Sequence, residues 1–176
     1  MTKPLPTADS GELVAEVHLM PGEWYFGQHT IVKTLLGSCV AMTLWHPQLH
    51  VGGMCHYLLP SRKRTAHEAL SGRYGNEAVE LLIQSLRRCG TQPRDYVVQF
   101  FGGADLLHDP ASVQSTAFNV GALNVDQAWT QARRFGFKVC HAELGENMAR
   151  RISIDLQSGE VTVRRGTPHR HVNRAS

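Results

Sequence analysis

Apolar and polar positions along the chain follow two periods. Short apolar or alternating runs bounded by Gly, Pro and polar turns predict strands over residues 12–19, 30–35, 36–44, 51–60, 95–101, 137–144, 150–156 and 161–165. Pro21-Gly22-Glu23 and the segment around Pro47 serve as turns, and Gln157-Ser158-Gly159-Glu160 closes a tight hairpin. The cluster Trp24-Tyr25-Phe26 is assigned to core or edge-strand packing, because aromatic rings bury large areas. The period changes at Asn76. Val79, Leu82, Ile83 and Leu86 fall on one helical face, with Asn76 as the cap and Gly90 as the stop. A second helix is expected from Ala122 to about Phe135, with Val125, Ala128, Trp129 and Ala132 as its buried stripe. Asn119 or Asn124 lies near its start, and Gly136 ends it. Many strands and two good helices predict an α/β (α+β) fold: mixed, largely antiparallel sheets covered by two main helices, in a single domain.

Composition alters this picture little. The 176 residues suffice for one substantial core, and 42% apolar with 19% charged residues is ordinary for a globular chain. A net charge of +3 with scattered Lys and Arg gives no nucleic-acid stripe. No apolar run approaches the roughly 20 residues that span a bilayer, and the first residues lack a signal-peptide core, so a cytoplasmic protein is expected. Residues 1–11 are expected to be a loose leader and 166–176 a disordered basic tail. Residues 60–74, with Arg62-Lys63-Arg64, read as a solvated loop; the sharper alternative is a loop that rims the site and meets the substrate.

Four cysteines occur, none in a Cys-x-x-Cys pair, so neither zinc spacing nor a disulfide framework is indicated. Cys89 is placed with the structural cysteines. Cys39 stands apart because it follows Gly37-Ser38, where backbone N–H groups can face an oxyanion, and it opens an apolar run. His56 lies in the next predicted strand, and adjacent antiparallel strands bring the two together. A thiol beside an imidazole can attack an acyl group. The residues alone equally admit a buried cysteine next to a satisfied core histidine. Cys55 alternates to the other face of its strand and counts as packing. Thr34, Thr30, Ser38 and Asn147 are candidates to orient the imidazole.

These residues resemble the CheD family, the chemoreceptor glutamine deamidases of bacterial chemotaxis. The resemblance runs through Leu36-Gly37-Ser38-Cys39-Val40-Ala41, Val51-Gly52-Gly53-Met54-Cys55-His56-Tyr57-Leu58-Leu59-Pro60 and Gly72-Arg73-Tyr74. It continues through Phe101-Gly102-Gly103-Ala104, Asn119-Val120-Gly121-Ala122-Leu123-Asn124 and Glu143-Leu144-Gly145-Glu146-Asn147-Met148-Ala149-Arg150. It covers about residues 12–165, the expected deamidase domain. The resemblance implies hydrolysis of receptor glutamine side chains to glutamate and ammonia, with Cys39 as nucleophile, His56 as base, backbone N–H groups at Ser38 and Cys39 for the oxyanion, and neither cofactor nor metal. It implies methyl-accepting chemotaxis receptors as substrate and a CheC-type phosphatase as a further partner; the scattered charge and the short apolar runs predict neither nucleic-acid binding nor membrane embedding. The other readings are a non-catalytic regulatory module and a thiol hydrolase of glutamyl methyl esters. The family carries a threonine six residues before its cysteine. Here that position is Lys33, and Thr34 follows. A one-residue slip on a strand reverses a side chain, so either a bulge restores Thr34 to the site or another group orients His56. Glu146 also stands where the family often has glycine.

Overall fold

The computed structural model describes residues 14–106 and 119–166. The expected leader, the tail beyond Gly166 and the loop after Leu106 lie outside them.

Among the described residues, nine strands and two α-helices follow in the order β1 (Ala15–His18), β2 (Trp24–Gly27), β3 (Thr30–Leu36), β4 (Val40–His46), β5 (Val51–Tyr57), α1 (Gly75–Arg88), β6 (Val97–Gly102), α2 (Val120–Phe135), β7 (Val139–Leu144), β8 (Arg150–Asp155) and β9 (Val161–Arg165). They form two sheets, one in the order β1-β3-β8-β9 and the other β2-β5-β4-β6-β7. Pairing is antiparallel except for β1 with β3 and β6 with β7. The class is therefore α+β with mixed sheets, as the periods predict.

Two apolar cores define three layers. Val40, Met42, Leu44, Cys55, Tyr57, Val98 and Phe100 meet Ala78, Val79, Leu82, Ile83 and Leu86 of α1 and Ala128 and Ala132 of α2. Ala41, Met54 and Phe101, from the opposite face of the five-stranded sheet, meet Val32, Leu36, Ile152 and Ile154 of the four-stranded sheet. The helices cover the first sheet, and the second sheet covers its other face. Central strands β4 and β5 are buried on both sides, so they read as unbroken apolar runs. β3, buried on one side only, alternates cleanly.

Three local expectations change. Asn76 does not cap α1. Tyr74 is the N-cap residue, without a side-chain bond, and the carbonyls of Leu59 and Pro60 accept from the N–H groups of Gly75 (2.9 Å) and Asn76 (3.2 Å). The chain leaving β5 thus satisfies amides that a cap would otherwise serve. Trp129 lies at the margin of the buried stripe, 37% exposed, with its ring edge-on to Phe100. Cys89 is exposed at the end of α1 and holds no core position. Asn119 caps α2, accepting from the Ala122 N–H at 2.9 Å, and Gly136 ends the helix in the left-handed region.

Candidate active site

β4 and β5 pair so that His56 stands opposite Ala41. Cys39 lies two residues before Ala41, in the turn that opens β4, and its side chain joins the same inter-sheet core as Ala41 and Met54. Val40, Cys55 and Tyr57 face the helices instead. Alternation therefore sends Cys39 and His56 to the same face and Cys55 to the other. Cys55 is fully buried, and burial pushes its thiol up to about 12.

Thr34 comes from the opposing sheet. It is buried on β3, and its Oγ1 lies 2.7 Å from His56 Nδ1 and 2.8 Å from the Leu19 carbonyl oxygen. A carbonyl only accepts, so the threonine hydroxyl donates to Leu19 and its lone pair accepts Nδ1–H. The neutral imidazole then carries its proton on Nδ1 and leaves Nε2 bare. Nε2 is buried and has no hydrogen-bond partner among the described residues, Cys39 Sγ included. Burial pushes the imidazole pKa down from 6.5 to about 4, against smaller upward pulls from the Leu19 backbone and the Glu23 carboxylate. Burial likewise pushes the Cys39 thiol up, opposed by its own backbone N–H. Both shifts favour a neutral thiol and a neutral base over a resting ion pair.

The turn before β4 is held by its carbonyls. Gly37 O accepts from Ala104 N at 2.9 Å and Cys39 O from Gly103 N at 2.7 Å. Ser38 O accepts from Asn124 Nδ2 at 3.0 Å. The N–H groups of Ser38 and Cys39 donate to no other described residue. Gly102 and Gly103 have φ of 105° and 66°, and a methyl group on Gly102 would run into the Cys39 carbonyl oxygen. The glycine pair at the end of β6 thus combines positive φ with close approach of another backbone.

A family model described as CheD chemotactic sensory transduction matches residues 58–165. The chain is 43% identical over 149 residues to the probable chemoreceptor glutamine deamidase CheD 3 of Dechloromonas aromatica, covering 83% of this chain and 85% of that one. It is 40% identical over 160 residues to CheD 1 of Chromobacterium violaceum, covering 90% and 80%. It is also 44% identical over 150 residues to a CheD of Pseudomonas syringae pv. tomato, covering 85% and 88%. The chain belongs to the CheD family.

Within the CheD frame, both departures acquire a physical account. β3 pairs with β1 and β8 without a register shift, so no bulge carries Thr34 inward. β3 ends at Leu36, and the count from Thr34 to Cys39 runs through a turn where period two does not apply. Lys33 points outward to Glu16, with Nζ 2.5 Å from its carboxylate. Glu146 takes φ 63°, a conformation that favours glycine, and its carboxylate lies 2.8 Å from Nη2 of the fully buried Arg150. The same guanidinium donates to Glu143 Oε1 (2.9 Å) and to the Gly145 carbonyl (3.0 Å). The ion pair offsets the backbone strain.

Among the other candidates, Thr30 is spent on Tyr25 and the Gln28 carbonyl, and Asn147 is exposed. The 60–74 loop is tied down by Arg62, whose Nε lies 2.8 Å from the buried carboxylate of Glu77. Sequence reasoning placed Asn124 only as a helix-start residue. Its signal was a polar side chain on the apolar face of α2, in step with Gly121, Ala128 and Ala132.

Proposed function

We propose that the chain hydrolyses glutamine side chains of chemotaxis receptors to glutamate and ammonia, with Cys39 as nucleophile, His56 as general base and Thr34 orienting it. Membership of the CheD family and the names of its relatives, probable chemoreceptor glutamine deamidases, supply the reaction and the substrate class. The observation that carries the residue assignment is the Leu19–Thr34–His56 chain of hydrogen bonds. It leaves the imidazole's lone pair on Nε2, in the layer that also holds Cys39.

The chemistry is acyl transfer through a thioester. Nε2 takes the thiol proton as Sγ attacks the carboxamide carbon, and the N–H groups of Ser38 and Cys39 receive the oxyanion. The tetrahedral adduct collapses with breakage of the C–N bond, and the Nε2 proton leaves with ammonia. Nε2 then takes a proton from water as the hydroxide oxygen attacks the thioester, and that proton returns to Sγ as glutamate departs. A side-chain rotation brings Sγ to Nε2 when substrate binds; such bonds are often loose before the Michaelis complex forms.

The test is incubation with receptor cytoplasmic fragments and mass spectrometry of Gln-to-Glu conversion. Conversion is expected with the wild type and with Cys55→Ala, and none with Cys39→Ala. Conversion surviving Cys39→Ala would overturn the assignment. The missing Sγ–Nε2 bond favours a second reading, a binding role. No conversion by any form, with firm binding to receptor fragments or a CheC-type phosphatase, would select it.

A further inference from the structure

We propose that Asn124 is a positioning residue that aims the Cys39 N–H at the substrate oxyanion, an inference that rests on the deamidase reading above. Its side chain is wholly buried on α2, and Nδ2 donates to the carbonyls of Ser38 (3.0 Å) and Leu58 (2.8 Å). Both partners only accept, so the amide can have just one orientation, with its NH2 toward them. Oδ1 is left buried and without a partner among the described residues. Packing alone would favour an aliphatic residue here, as at Ala128 and Ala132; that would remove the orphan Oδ1 but take the donor from both carbonyls. The polarity of Asn124 therefore serves the two carbonyls.

What those carbonyls control is the chemistry. A trans peptide is planar, with C=O and N–H pointing opposite ways. Holding Ser38 O fixes the direction of Cys39 N–H. Ala104 N does the same for Ser38 N–H by holding Gly37 O, and Gly103 N holds Cys39 O. Three consecutive carbonyls are pinned, and the two amides between them are free of other described partners and fixed in direction. Asn124 is the only side chain in that set. Its second acceptor, Leu58, lies two residues after His56, so the same amide also ties the nucleophile's turn to the strand carrying the base. Tyr57 Oη donates to the Asn124 carbonyl at 2.8 Å and fastens the helix to that strand.

Asn124→Leu keeps the shape, removes both donated bonds and takes the unpartnered Oδ1 away with them, leaving the Ser38 and Leu58 carbonyls without this donor; Asn124→Asp keeps the shape and replaces donor with acceptor. Deamidation of receptor fragments by Asn124→Leu is expected to lose about 10- to 100-fold in kcat, with KM within about threefold. Alkylation of Cys39 by iodoacetamide at pH 9 should stay within about threefold, because that displacement develops no oxyanion. A kcat within threefold of wild type overturns the proposal, as does a parallel fall in alkylation and deamidation, which marks a fault in the thiol or the fold. Should Asn124→Leu not fold, Asn124→Asp is read in the same way. A peptide bearing glutamate semialdehyde in place of glutamine supplies a readout independent of turnover. The thiol adds to its carbonyl carbon: the S–C bond forms as the S–H bond and the C=O π bond break, and the thiol proton ends on the thiohemiacetal oxygen. The Cys39 amide proton should move downfield in the wild-type adduct and less in whichever variant folds, or an absent or equal movement refutes the idea. If neither variant folds, the wild-type shift alone decides: its absence refutes the proposal. A wild type that forms this adduct but converts no glutamine fails the deamidase reading alone.

Discussion

At the scale of single residues, the proposed site depends on which ring nitrogen of His56 carries the proton. Thr34→Val removes the acceptor for Nδ1–H and leaves that group buried without a partner, at a stability cost of about 1–3 kcal/mol. Steady-state deamidation should fall about 10- to 100-fold, while Thr34→Ser, which restores the hydroxyl, should stay within a few-fold of wild type. The pKa shifts make a second prediction. Burial lowers the imidazole to about 4 and raises the thiol, so neither is charged near neutral pH. Alkylation of Cys39, followed by peptide mass spectrometry to separate it from exposed Cys89 and Cys140, should climb through pH 9 and beyond. A plateau between pH 5 and 8 would mean a resting thiolate–imidazolium pair instead. Cys39 and His56 were legible as candidates because each interrupts an apolar run with reactive chemistry. The part of Thr34 was not fully legible, since counting along the chain does not reveal where a strand gives way to a turn. Asn124 was legible only as a polar intruder, because its two acceptors lie 86 and 66 positions away.

At the scale of elements, periodicity located eight of the nine described strands and both helices, since one-sided burial in β3 and two-sided burial in β4 and β5 leave different signatures, while β2 lay in the aromatic cluster assigned to core or edge-strand packing. Periodicity could not show that the strands divide into two stacked sheets, because β3 and β8 pair across more than a hundred residues of chain. Nor could it show that carbonyls leaving β5 cap α1. The end of β6 bears on the proposed nucleophile, Cys39, through its glycines. Gly102→Ala places a methyl group against the Cys39 carbonyl and forces an L-residue to φ 105°. Chemical denaturation should show a loss of about 1–3 kcal/mol. Deamidation should fall further than that loss of folded protein explains, because the Cys39 peptide is displaced. Gly90→Ala, where a methyl meets nothing within 4 Å, also carries positive φ, and should reduce stability without a comparable loss of kcat.

At the scale of the molecule, the inter-sheet layer makes His56 an acid-sensitive part of the fold. Its pKa falls from 6.5 to about 4 on folding. Below pH 6.5 the unfolded chain therefore binds a proton that the native chain refuses, and stability declines as pH drops from 6.5 toward 4. The full effect is roughly 3 kcal/mol. Urea titrations across that interval should show the decline, and His56→Gln should flatten it. Glu143 adds to the decline at lower pH. Burial works to raise its pKa, but Arg165 and Arg150 together hold it below the usual carboxylate range, and their contribution is lost as it protonates.

His56 belongs to one sheet, and the hydroxyl that orients it belongs to the other. Among the described residues, side-chain packing, a few such bonds, the Glu143 pairs with Arg150 and Arg165 and short turns between strands hold the sheets in alignment. A small lateral slip between them would break the Thr34 contact while every ladder of backbone bonds stayed whole. With His56 as the proposed base, its tuning is a mechanical property of the seam, and a protein that looks fully folded by its backbone would still be catalytically detuned.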